Sequence, residues 1–174
     1  MIAGNLSFSS GLSLRPAVTA DRGFLETLYR ASRPELELLD GDDQREQVFT
    51  QQYGTFATGA GDNYPEAIHF VIEKAATSIG SVVVDFGHNE VRIVYLAFIP
   101  AARGKGFGSE VVRGMQAAAE RVRSPLVAVV WRSNPQARQV YLDLGFSVQE
   151  TQLVAERLIW YPGETRGPVQ LNRI

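Results

Sequence analysis

The chain contains no cysteine in its 174 residues, which excludes a disulfide, a thiolate metal site and a cysteine nucleophile. Histidine is nearly as scarce. His69 and His88 stand far apart with no paired carboxylates beside them, so no metal site is expected, and His88 in its polar turn reads as a solvated side chain. Neither sign of charge dominates: 17 basic against 19 acidic residues give a net charge of -2 and a pI near 5.7. A global basic field is therefore missing, and nucleic acid is not an expected partner. No apolar run approaches the roughly 18 residues of a membrane span, and no basic stretch precedes an apolar one at the N-terminus. The expectation is a soluble, cytoplasmic protein without a membrane partner. No repeat or low-complexity segment is present.

The length suits one domain spanning residues 1–174, with a core at about 12–162, a lead-in at 1–11 and a polar tail at 163–174. The organising stretch is Val91 to Gly108. Val91 to Ile99 is β-branched, aromatic and aliphatic, and Pro100 closes it like a strand. Arg103-Gly104-Lys105-Gly106-Phe107-Gly108 follows, and then Val111, Met115, Ala118 and Val122 recur at helical spacing. Glycines at a helix start let an anion approach amides that have no partner inside the helix and sit at the positive end of its dipole. With Arg103 and Lys105 beside them, they read as a phosphate or pyrophosphate seat. The spacing fits neither a phosphate loop, which needs four residues between its glycines and a hydroxyl after its lysine, nor a dinucleotide turn, because Ser109 stands where the third glycine belongs.

Elsewhere the order of elements is legible. Leu12 to Pro16 suggests an edge strand, and Thr19 or Asp21 can cap a helix carrying Phe24, Leu25, Leu28 and Tyr29. The acids Glu35, Glu37, Asp40, Asp42 and Asp43 precede a second helix from Asp43 to roughly Phe56; capping and solvation account for most of them, and a wall that attracts a cationic substrate is the alternative. Gly59 to Pro65 reads as a loop. Ala67–Glu73, Ser78–Phe86 and Glu90–Ile99 are strands separated by hairpin-length turns, hence antiparallel neighbours. A helix to about Arg123 leads to Leu126–Trp131, an apolar run suited to a strand buried on both faces and parallel to Val91–Ile99. Asn134-Pro135 starts another helix, with Ala137, Val140, Tyr141 and Leu144 facing inward and Gly145 as its stop. Phe146–Thr151 and Leu153–Trp160 close the sheet. The expected class is α/β: a mixed, mostly antiparallel sheet flanked by helices with a central β-α-β crossover.

Arg103, Gly106 and Gly108 fit an Arg-x-x-Gly-x-Gly pattern, and Asn134, Ala137, Tyr141, Gly145 and Phe146 fit Asn-x-x-Ala-x-x-x-Tyr-x-x-x-Gly-Phe. In both respects the chain resembles the Gcn5-related N-acetyltransferase superfamily. The resemblance covers roughly Leu12 to Trp160 in element order and is specific at residue level over Tyr95–Gly108 and Asn134–Phe146. It implies the acyl-CoA N-acyltransferase fold, with acetyl-coenzyme A as acyl donor and its pyrophosphate cradled by Arg103, Gly104, Lys105, Gly106, Phe107 and Gly108. It further implies a thioester facing the backbone of Leu96, Ala97 and Phe98, a role for Asn134 at coenzyme A besides its N-cap, and Tyr141 as the acid that protonates the leaving thiolate. The acceptor would be a primary amine of a small molecule or peptide, attacking directly in a ternary complex because no cysteine can carry the acyl group.

The general base is the weak point of the resemblance. Some members place a glutamate six residues before the position of Phe98, where this chain has Arg92. Tyr95, Glu66, His69 and a water chain stand as alternatives. A non-catalytic acyl-coenzyme A sensor on the same fold also stays open, as do a nucleotide-dependent enzyme using the same loop and a homodimeric assembly.

Overall fold

The structure, a computed structural model, describes residues 5–8, 10–33, 38–39, 41–64 and 66–163, with the backbone alone over 55–63. Glu35, Glu37, Asp40 and all but the first residue of the expected tail lie outside it. The strands are β1 (Leu6–Ser7), β2 (Leu12–Pro16), β3 (Ile68–Lys74), β4 (Thr77–Phe86), β5 (Val91–Phe98), β6 (Leu126–Trp131), β7 (Ser147–Thr151) and β8 (Ala155–Trp160). The helices are α1 (Arg22–Ala31), α2 (Asp42–Asn63), α3 (Phe107–Arg121) and α4 (Pro135–Asp143). They fall into two compact units, one of Met1–Phe86 with Val94–Gly108 and one of Gly87–Ile93 with Ser109–Ile174, so that β5 begins in the second and ends in the first. Together the units contain the expected class, a mixed and mostly antiparallel sheet with helices and one β-α-β crossover.

In the first unit the strands run in the order β1-β2-β3-β4-β5. The pairs β1–β2, β2–β3 and β3–β4 are antiparallel, as short connections require, and β1 forms inside the segment expected to be a lead-in. The run Ile79 to Asp85 is buried throughout, and Leu12, Leu14, Phe70, Val71 and Ile72 fill the core beside it. Helix α1 packs on β4 and buries Leu28 and Tyr29.

Two local expectations are corrected here. Asp21 does not cap α1. It lies in a 3₁₀ turn, Thr19–Asp21, and its carboxylate turns back to a bidentate pair with Arg15 at 2.8 Å and to the Val18 amide at 2.8 Å, because a guanidinium outcompetes a lone helix amide. These contacts hold the Asp21 carboxyl well below its ordinary range, at about 2, the Arg15 hydrogen bond contributing most. Helix α2 also runs through the expected glycine loop to Asn63, because isolated glycines weaken a helix without ending it, whereas Pro65 restricts the residue before it.

In the second unit the first three residues of β5 pair parallel with β6, Val91 opposite Leu126 and Ile93 opposite Ala128, across the crossover through α3. β8 lies antiparallel between β6 and β7. The buried face of α3 is Val111, Val112, Met115, Gln116 and Ala119. Val122, expected on that face, is exposed past the helix end. Strand β6 is not buried on both faces as expected: Val129 and Trp131 are about half exposed, at 55 % and 50 %. The β5 pairing reaches only Ala128, and it is past that point that alternate residues emerge. Among the described residues no helix is long and apolar enough to cross a membrane.

Candidate functional site

After β5 a 3₁₀ turn, Pro100–Ala102, leads into Arg103–Gly106, all exposed, and α3 starts at Phe107. Gly104 and Gly106 take φ of 72° and 83°, a region that a side chain disfavours by about 1–2 kcal/mol. A Cβ built on either meets nothing within 4 Å. The glycines are therefore required by the backbone turn and not by crowding from the protein, and the space in front of them is open. An open turn of this kind leaves room for the diphosphate of coenzyme A.

The Arg103 side chain goes elsewhere. Its Nε donates to the Phe98 carbonyl at 3.1 Å and its Nη2 to the Ala31 carbonyl at 3.4 Å. Ala31 is the last residue of α1, so the guanidinium sits at the negative end of that helix and ties it to the exit of β5. Phe107 lies 6.4 Å from the ring of Phe98, and Lys74 Nζ stands 4.7 Å over Phe107, bringing a further cation to the loop.

Leu96, Ala97 and Phe98 are half-buried at the end of β5. Their position depends on a residue that the sequence reading missed. A Cβ on Gly80 of β4 would fall 2.5 Å from the Ala97 carbonyl and 2.9 Å from the Phe98 ring. Only glycine lets the two strands come this close. The signal was available, because a glycine inside a strand pattern marks a bulge or a close backbone approach. Lys74 had no such signal, since only the fold carries the end of β3 to Phe107.

The candidate bases separate by environment. Tyr95 donates to Ser32 at 3.4 Å, and its burial raises the phenol's pKa, so it remains protonated and serves as a donor. Burial lowers the pKa of His69 on β3, leaving the imidazole neutral at pH 7. Glu66 is exposed in the turn before β3. Arg92 is no base: in the second unit it pairs with Glu90 at 3.4 Å, and Arg157 holds both Glu90 oxygens at 2.8 Å.

The second unit carries Asn134 and Tyr141. Asn134 accepts from the Ala137 amide at 3.1 Å, the expected N-cap of α4. Gly145, at φ 92°, ends the helix, and the Phe146 amide donates back to the Tyr141 carbonyl at 3.1 Å. The Tyr141 ring is buried and meets Phe146 edge-on at 5.1 Å. Burial alone drives its phenol far above the usual tyrosine range, so it is protonated at every physiological pH.

The family model described as acetyltransferase (GNAT) domain matches residues 12–147. Among solved structures, the chain is similar to a PaiA N-acetyltransferase from Thermoplasma acidophilum in complex with coenzyme A, with a TM-score of 0.66 at 15 % identity over 86 % of this chain and 98 % of that one. It is similar to a spermidine N-acetyltransferase from Vibrio cholerae in complex with coenzyme A and spermine, with a TM-score of 0.62 at 20 % identity over 90 % and 98 %. RimL, a ribosomal L7/L12 alpha-N-protein acetyltransferase in complex with coenzyme A, gives 0.64 at 14 % over 91 % and 98 %. At these identities the likeness is one of fold. No curated protein matches the sequence.

Proposed function

Given that the chain belongs to the GNAT acetyltransferase family, we propose that it transfers an acetyl group from acetyl-coenzyme A to a primary amine of a small molecule or peptide by direct attack. The observation that carries this reading is the exposed turn Arg103–Gly106, whose two positive-φ glycines open onto free space at the start of α3. Amides of Arg103 to Gly108 hold the pyrophosphate there, with the charge of Lys105 beside them. Backbone groups of Leu96 to Phe98 orient the thioester, and Gly80 keeps that strand end in place. When bound, acetyl-coenzyme A supplies an acetyl carbon bearing a thiol leaving group, so the amine nitrogen gains the acetyl carbon, gives up one proton, and the sulfur leaves as the thiol.

Tyr141 is assigned the donation of that sulfur's proton. The thiolate of a thiol with pKa near 8.5 is a weaker base than the phenolate of a phenol with pKa about 10, so the donation runs uphill, more steeply for a buried phenol. Tyr141 therefore acts as a positioned donor and never as a base. With Tyr95 also protonated and Arg92 ion-paired, removal of the amine's proton falls to water, to Glu66 or to the neutral His69. Asn134 caps α4 and is assigned a contact with coenzyme A.

The test is thiol release from acetyl-coenzyme A across a panel of monoamines, polyamines, aminoglycosides and peptides. The chain itself has no thiol to contribute. Amine-dependent release is the expected result. Tight coenzyme A binding with a flat response to every amine would turn the reading into that of an acyl-coenzyme A sensor.

A further inference from the structure

Helix α2 presents one face to the first unit's interior: Val48, Phe49, Gln52 and Tyr53 are buried or half-buried while Glu46, Gln47, Thr50 and Gln51 are exposed. Three of those four inward residues belong to an aromatic cluster. Tyr29 of α1 and Phe49 form its buried centre, with Val48, Tyr53 and Tyr95 packed against it. Tyr29 stands edge-on to Tyr53 at 5.4 Å and tilted to Tyr95 at 6.3 Å, and so holds both rings. Tyr95 is the residue before Leu96, which places the cluster beside the strand end assigned to the thioester.

The fourth residue on this face is the anomaly. Among the described residues, the Gln52 side-chain oxygen is buried without a hydrogen-bond partner. A buried acceptor with no donor is unfavourable, and an apolar side chain of the same length would avoid it. Such an atom is explained if a ligand brings the missing donor. An amide carbonyl also suits an attacking amine better than a carboxylate does, because it accepts from an uncharged N–H without favouring the unreactive ammonium.

Among the described residues, two rings of the cluster and three acids of α1 and α2 are already engaged by the chain itself. The Arg30 guanidinium covers the Phe49 ring at 3.7 Å and Arg33 lies 5.2 Å over Tyr29. Glu26, Glu46 and Asp42 pair with Arg22, Arg30 and Arg45. A second ammonium on the acceptor would compete with these contacts, whereas an apolar body suits the rings of Tyr53 and Tyr95.

We propose that Gln52 together with Tyr53 and Tyr95 forms the acceptor subsite, and that it takes a monoamine with an aromatic or alkyl body in preference to a polyamine. This rests on the acetyl-transfer reading above. The experiment compares the full-length wild type with Gln52→Met, a near-isosteric apolar replacement, using 2-phenylethylamine and spermidine at saturating acetyl-coenzyme A. Coenzyme A affinity and thermal midpoint are measured alongside. The wild type is expected to favour 2-phenylethylamine in kcat/KM by about tenfold or more, and Gln52→Met to raise its KM by about tenfold with coenzyme A affinity unchanged and the midpoint equal or higher. A higher midpoint with unchanged KM would make Gln52 an ordinary internal defect and overturn the subsite, as would a preference for spermidine. If Gln52→Met does not fold, Tyr53→Leu carries the same KM expectation. A wild type that binds coenzyme A but acetylates no amine is recognisable apart from these outcomes and overturns the parent reading.

Discussion

Helices α3 and α4 start in opposite ways. At α4 the chain supplies its own acceptor, Asn134 to the Ala137 amide, with Pro135 in the first turn. At α3 the preceding residues are Gly104 and Gly106, exposed, in the left-handed region, with nothing near a Cβ built on them. The same backbone event, a helix N-terminus, is capped by a side chain in one place and preceded by glycines facing open space in the other. Under the proposed function, the difference assigns binding to the start of α3 and leaves to the body of α4, at Tyr141, what that helix would contribute to chemistry.

That division can be broken from either side. The largest expected effect is Tyr141→Phe, which should lower turnover by roughly 10- to 10⁴-fold with coenzyme A affinity nearly unchanged. Unchanged turnover in a steady-state assay would take α4 out of the chemistry. Gly106→Val should do the converse. Loss of charge-assisted amide contacts predicts coenzyme A binding roughly 10- to 100-fold weaker by calorimetry, and the left-handed backbone adds about 1–2 kcal/mol of destabilisation. Affinity equal to wild type would show that the α3 turn is only a turn. Gly80→Ala lies between the two: overpacking against Ala97 should cost about 1–3 kcal/mol in chemical denaturation and displace the strand end that the turn serves.

Asn134→Ala should cost about 1 kcal/mol for the lost cap, and Asn134→Asp should restore that stability. If Asn134→Asp nonetheless binds coenzyme A less well, Asn134 touches the ligand as well as the helix, and the contrast between the two starts narrows. The smallest effect is a pH profile. Asp21 has its folded pKa depressed to about 2 from an ordinary 3.8, so its contribution is complete above that ordinary value and lost as pH falls toward 2. Thermal midpoints of wild type and Asp21→Asn should therefore converge in acid. Parallel curves would mean that the Arg15 pair does not stabilise the fold.

Much of the candidate site was legible because it is made of local backbone demands. Gly106, Gly145 and Asn134 announce a turn, a stop and a cap from their immediate neighbours, and each stands as read. The side chains were less legible. Arg103 has the right charge for phosphate at the right place, yet its guanidinium bonds two carbonyls, one of them 72 residues away in sequence. Asp21 looked like a cap until Arg15 was beside it, and on α3 Val111 and Met115 face inward as read while Gln116, off the expected stripe, also turns in to bond the Leu144 carbonyl at 2.8 Å.

By itself the sequence determined the order of strands and helices, the parallel crossover around α3 and the glycine turn, since periodicity, proline and positive-φ glycine act within a few residues. Tertiary structure alone decided why Gly80 must lack a side chain, where the Arg103 guanidinium points, that Val129 and Trp131 emerge from β6, and that the Gln52 oxygen is buried without a donor among the described residues. Each of these depends on which distant segment lies alongside, and side-chain packing, hydrogen bonding and burial are properties of that neighbour as much as of the residue.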